Sequence, residues 1–404
     1  MSGPHKNKPA TTVVSAGRRS EWLGVPGAKG SVVNPPVWRA STHLFEDCND
    51  LAGGRPNRQG HFFYGRRGGP TQWALGDALT ALEPGAYATE LFPSGVAALS
   101  VAMLAVLRPG DEVLVTDNAY EPTIGIAASM LSQFGVTMRR FDPLDLDEFA
   151  ATIAPNTKAV MLESPGSLTM EVCDIPALTA IARDHGAISI IDNTWATALG
   201  FPALERGCDI SVMSLTKHVG GHSDLMMGSI SAGEELMGKV RQMAQFLGQV
   251  VSPDDAALAL RGLRTLAVRL DRSTHSAAAI AQWLRTRDEI AQVLCPIIPG
   301  GPGHDLWSRD FTGGCGLFAF VLDTDKQGRA RFIDALEHFG IGYSWGGYES
   351  LAVPFAAKRD HPHHTWPKCA DGQDMVGVRV SIGLEDPDDL IRDLERGFSA
   401  MRDT

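Results

Sequence analysis

The residues best suited to chemistry lie in the run Ser214-Leu-Thr216-Lys217-His218-Val-Gly-Gly-His-Ser-Asp. A lysine directly after an apolar run, flanked by Ser and Thr and followed by glycine turns, is unusually placed for a solvated charge. Burial lowers an amine's pKa, and a neutral amine can form a Schiff base. The neighbouring hydroxyls can hydrogen-bond a phosphate. The plainer reading is a lysine exposed on a loop. In Phe92-Pro93-Ser94-Gly95-Val96-Ala97-Ala98 a glycine turn opens an apolar helix. Free N–H groups and the helix dipole there suit a phosphate, although small residues at a helix start also serve packing alone. Residues 188–192 form a strand-like run ending in Asp192, before Asn193-Thr194-Trp195. An acid there can keep a pyridine nitrogen protonated, or it can cap a helix. Tyr120, in Asn118-Ala-Tyr120-Glu-Pro-Thr, can stack on an aromatic ring or pack a loop.

The elements that must position these residues alternate. Apolar β-branched runs at 112–116, 159–163, 187–192 and 210–214 read as strands, and 123–134 and 175–184 read as helices. Continuous apolar strands separated by helices predict a parallel sheet covered on both faces, with ligands at its carboxyl ends. Glu163, Asp192 and Ser214 end such strands and so point at a site. Residues 253–285 read as helical almost throughout, with a domain boundary near 263. A smaller α+β region follows, with strands at 314–322, 341–345 and 377–382 and helices at 327–339 and 387–401. The resulting expectation is an arm at 1–60, an α/β domain at 61–263 and a C-terminal domain at 264–404. The Gly- and Pro-rich arm cannot form a core alone, so it must drape on the body or on another subunit.

Composition narrows the class. The 404 residues are 44% hydrophobic and 21% charged, which is ordinary globular usage. With 36 Lys and Arg against 47 Asp and Glu, the net charge is −11. That balance argues against nucleic acid or an anionic membrane as partner. The N-terminal residues lack the apolar core of an export signal, so a cytoplasmic protein is expected. The six cysteines have no CxxC spacing and read as reduced thiols, with no metal site expected. His361-Pro-His363-His364 could hold a metal but reads better as a solvated loop.

In this order and spacing, the four segments resemble the Cys/Met-metabolism enzymes that use pyridoxal phosphate (PLP), over roughly residues 31–401. The resemblance implies an aspartate-aminotransferase-like α/β fold (fold type I): a mainly parallel seven-stranded sheet domain plus a smaller α+β domain. Tyr64-Gly-Arg66-Arg67-Gly68, Ala119-Tyr120-Glu121-Pro122, Glu163-Ser-Pro-Gly-Ser167 and Gly342-Tyr343-Ser344-Trp345-Gly-Gly-Tyr348-Glu349 resemble the cystathionine β-lyase branch more than its γ-acting relatives. Carried over, the resemblance implies that Lys217 holds PLP and is catalytic. It implies that Asp192 pairs with the pyridine nitrogen, while Tyr120 stacks on the ring and acts as an acid beside Lys217. The Gly95 and Val96 N–H groups and the Ser214 and Thr216 hydroxyls would bind the phosphate. Tyr64 and Arg66 would reach the cofactor of a neighbouring subunit, Tyr64 also touching substrate. Arg379, in Val378-Arg379-Val380, would bind the substrate α-carboxylate, with Ser344 and Trp345 lining the pocket.

The implied activity is β-elimination of L-cystathionine to homocysteine, pyruvate and ammonia, a step toward methionine, by a homotetramer of two active dimers. The same scaffold accommodates γ-elimination, γ-replacement or cleavage of another cysteine thioether, because pocket shape chooses the leaving group. A PLP-binding regulatory protein with little turnover is the alternative of another class.

Overall fold

The computed structural model describes residues 7–24, 29–356 and 376–402. The histidine run at 361–364 and Cys369 lie outside the described residues.

Seven strands form the large sheet: β1 (Ala88–Phe92), β2 (Glu112–Thr116), β3 (Thr137–Phe141), β4 (Thr157–Glu163), β5 (Ile188–Asp192), β6 (Ile210–Ser214) and β7 (Gly228–Ala232). Their order is β1-β7-β6-β5-β4-β2-β3. Only β7 runs against its neighbours. Residues 113–115 and 159–162 are buried on both faces, as the unbroken apolar runs require. β1, β3 and β7 escape the sequence reading; Gly228-Ser-Ile-Ser-Ala232 is too polar to carry a strand signal.

A four-stranded antiparallel sheet forms a second layer, from β8 (Ile290–Leu294), β9 (Leu317–Leu322), β10 (Leu351–Phe355) and β11 (Val376–Ser381). The helix Leu266–Leu284 and the C-terminal helix Pro387–Arg402 bury apolar faces at Ile280, Leu284, Leu394 and Phe398. The Trp195 indole N–H donates to Leu317 O at 3.1 Å, which ties the loop after β5 to β9.

Three expected elements differ, the first being the helix expected at 327–339, which spans Lys326–Asp334. Residues 341–345 form no strand: Ser344 and Gly346 have φ of 93° and 81°, which turns the chain until β10 begins at Leu351. Such φ values are incompatible with a pleated strand. Residues 121–134 begin as an α-turn at Glu121, widen to a π-helical stretch at Ile126–Met130 and tighten to a 3₁₀ turn at Leu131–Phe134.

The start of the arm packs on its own chain. Arg264 donates to Val13 O and Ala16 O, both at 2.8 Å, and the Trp22 and Trp73 rings lie 6.4 Å apart. No helix among the described residues is long and apolar enough to cross a membrane.

Candidate active site

Register builds the site. Phe92 and Ser214 both pair with Gly228, so the ends of β1 and β6 flank the start of β7. The loop leaving β1 therefore delivers Gly95 against Ser214. A Cβ on Gly95 would lie 2.7 Å from Ser214 Cβ and 2.8 Å from its Oγ, so only glycine fits. Ser94 caps the helix Gly95–Val106 by accepting from Ala97 N at 3.1 Å. Among the described residues the N–H groups of Gly95 and Val96 have no acceptor, beside the Ser214 hydroxyl. Two free amides and a hydroxyl at a helix N-terminus form an anion cradle of phosphate character.

β4 and β5 supply adjacent carboxyls, because Glu163 pairs in register with Asp192. Asp192 Oδ1 receives the Thr194 N–H at 3.1 Å and also the Thr194 hydroxyl, while Oδ2 receives none among the described residues. Burial raises the Asp192 pKa, against the pull of Thr194 and Lys217. Glu163 is pushed well above the ordinary carboxylate range, by burial and then by the Asp192 charge. It accepts the Tyr120 N–H at 2.7 Å, which fixes the half-exposed Tyr120 at the mouth of the site. Burial and the two carboxylates raise the Tyr120 pKa, so its phenol keeps its proton.

Lys217 follows β6, and its Nζ donates to Ser344 Oγ at 2.8 Å. Burial, then the Arg379 charge, lowers its pKa, as needed for an amine that acts as nucleophile and base. The Nζ lies 5.7 Å from the centre of the Trp345 ring. Trp345 is set by His218, whose buried ring meets it edge-on at 5.2 Å. His218 is held near a pKa of about 3 by burial and the Arg269 charge, so it is neutral. Arg379 projects from β11, is 8% exposed and donates to Ser167 O at 3.3 Å. Its electrostatic neighbours are Tyr120, Glu163 and Tyr343.

Lys217, Asp192, Tyr120, Arg379, Ser344 and Trp345 thus converge on one site beside the Gly95–Ser214 cradle. Thr216 is differently engaged: its hydroxyl donates to Met227 O at 3.2 Å and accepts Met227 N–H at 2.9 Å. Tyr64 and Arg66 stand apart from the group. Tyr64 bridges to Thr42, and Arg66 donates to Gln245 O at 3.3 Å, in a cleft shared with Glu90 and Arg241. His218 and Arg269 escape the sequence reading, since a buried His and Arg far apart in sequence carry no local signal. Arg269 donates to His218 O and Gly262 O, each at 2.7 Å, fixing the loop that follows Lys217.

The site fits PLP on these grounds: an anion cradle, an unengaged buried carboxylate oxygen, a half-exposed aromatic ring and a desolvated lysine. Comparison with known proteins agrees. The chain is 44% identical over 373 residues to a putative cystathionine beta-lyase of Rhizobium johnstonii, covering 91% of each chain. It is 42% identical to the cystathionine beta-lyase MetC of Escherichia coli, over 97% of this chain and 98% of that one. The crystal structure of metB from Corynebacterium glutamicum superposes with a TM-score of 0.87 at 29% identity, covering 98% of this chain and 99% of that one. Residues 10–399 match the family described as Cys/Met metabolism PLP-dependent enzyme, and the chain belongs to that family.

Proposed function

We propose that the protein cleaves L-cystathionine by β-elimination, releasing homocysteine, pyruvate and ammonia. The observation that carries this is the convergence of Lys217, Asp192, Tyr120 and Arg379, in a chain similar over almost its full length to cystathionine β-lyases. PLP, when bound, supplies an electron sink for the charge left on Cα once its proton is removed. The Gly95 and Val96 N–H groups and the Ser214 hydroxyl would hold its phosphate, and Thr216 would add its hydroxyl by turning from Met227 O. The Asp192 carboxylate would hold the proton on its ring nitrogen, and Tyr120 would cover the ring face.

Arg379 grips the substrate carboxylate with its fork, which orients the Cα–H bond toward Lys217. Lys217 Nζ then takes the Cα proton, and Lys217 or Tyr120 delivers a proton to the departing sulfur. Ser344 holds the lysine amine in place and Trp345 walls the pocket. The working unit is a homotetramer of two active dimers. In each dimer Tyr64 and Arg66 of one subunit complete the other's site, Tyr64 touching substrate as well. The exposed Leu44 and Val33 of the 1–60 arm supply apolar surface for that contact, and the 61–263 and 264–404 domains enclose the site. The free thiols among the described residues accord with a reducing, cytoplasmic setting.

The test is a product assay with purified protein, PLP and L-cystathionine. Pyruvate with homocysteine supports the reading, and 2-oxobutyrate with cysteine moves the protein to γ-elimination. Neither product from a PLP-loaded protein means that another thioether is the substrate.

A further inference from the structure

We propose that Ser223 and Glu349 form a latch that joins the loop after Lys217 to the loop carrying Ser344 and Trp345, making both positioning residues for the reaction. The Ser223 hydroxyl donates to Glu349 Oε1. Each loop holds a side-chain-bearing residue at positive φ, +56° at Ser223 and +93° at Ser344. Side-chain-bearing residues stay in the left-handed region only where neighbours hold them there.

The Ser344 loop is already clamped on its sheet side. Gly346 N–H donates to Ser381 Oγ at 3.2 Å, and Ser350 donates to both oxygens of Glu385. On the lysine side, the described hydrogen bonds from side chain to side chain that cross between the loops are Lys217–Ser344 and Ser223–Glu349. The first involves the reacting amine, which must leave Ser344 to move protons. The second is then the side-chain hydrogen bond that still joins the loops during that movement, beside the packing of Trp345 on His218. The space is built around the pair: a Cβ on Gly347 would collide with both Glu349 Oε2 and Ser223 Oγ. Among the described residues Glu349 Oε2 is buried without a hydrogen-bond partner, a cost that the Oε1 contact offsets.

The test uses the PLP-loaded enzyme and four variants: S223A, E349A, E349Q and the S223A/E349A double. Gln keeps the oxygen that accepts the Ser223 proton. S223A and E349A should each lower kcat roughly tenfold with little change in KM, since an acid–base group misplaced by a fraction of an ångström loses rate rather than affinity. They should also weaken the visible circular dichroism of bound PLP at unchanged PLP content. E349Q should restore most of both signals, and the double variant should be no worse than either single. Wild-type kcat and dichroism in S223A and E349A would overturn the latch, as would an E349Q as impaired as E349A or singles that add in the double. The kcat reading rests on the proposed β-lyase activity, whereas the dichroism does not, so failure of that activity leaves the latch testable.

Discussion

Replacing Arg379 gives the most discriminating test of how the site captures substrate. The guanidinium is 8% exposed, is anchored by Ser167 O at 3.3 Å and has Tyr120 and Glu163 as neighbours. A carboxylate bound there exchanges water for two charge-assisted hydrogen bonds. Truncating one partner of such a buried pair costs about 3–5 kcal/mol. Arg379→Ala should therefore lower kcat/KM by roughly 10²–10⁴, mostly through KM. Arg379→Lys keeps the charge and loses the fork, which removes one charge-assisted bond of about 1.5–3 kcal/mol, or roughly 10- to 100-fold.

A second consequence has a definite sign. The Arg379 charge lowers the Lys217 pKa, so its removal lets that pKa rise. Lys217 must be neutral to accept a proton, and the acid limb of the pH profile should move to higher pH in Arg379→Ala but far less in Arg379→Lys. Steady-state pyruvate release from L-cystathionine between pH 6 and about 10, the usual span from His to Lys titration, reads both effects. An unchanged kcat/KM in Arg379→Ala, or equal losses in the two variants, would refute the bidentate role.

Lys217→Ala should lower kcat by at least roughly 10²–10⁴, the range for a lost general base, while far-UV circular dichroism stays native; full turnover would exclude Lys217 from the chemistry. Arg66→Ala should weaken PLP retention roughly tenfold, one charge-assisted contact, as read by dialysis against PLP-free buffer; undiminished retention would remove Arg66 from the cofactor site. Glu83 gives a stability prediction. Its carboxyl accepts Leu204 N–H at 3.2 Å and the Ser211 hydroxyl at 3.0 Å, and burial lifts its pKa from 4.5 to about 7. The folded state therefore favours the protonated form, so this contribution is full below pH 4.5 and disappears as pH rises through about 7. It amounts to roughly 3 kcal/mol. Glu83→Gln should flatten that slope, as urea unfolding at pH 5 and at pH 8 would report.

Much of this molecule is local in origin and therefore legible in the sequence. The strands Glu112–Thr116 and Ile210–Ser214 follow from apolar, β-branched runs bounded by turn residues, and the helix Ile175–Asp184 from apolar residues at 175, 178 and 182 behind the Asp174 cap. Lys217 and Asp192 stand out because each follows or ends a buried strand, where an α/β sheet places its ligands, and Gly95 because a glycine turn there opens an apolar helix. What the sequence could not decide depends on register and on contacts between distant segments. The polar strand Gly228–Ala232 exists because its neighbours pair with it, and it alone brings Gly95 to Ser214. Residues 341–345 alternate like a strand, yet tertiary contacts turn them at Ser344 so that its hydroxyl meets Lys217, 127 positions away. The pairing of Glu163 with Asp192, the grip of Arg269 on the lysine loop and the Ser223–Glu349 contact are decided the same way. Composition and pattern choose which residues are buried and which elements form. Only closure of the chain chooses which charges share a low-dielectric site, and that choice sets the protonation states on which the chemistry depends.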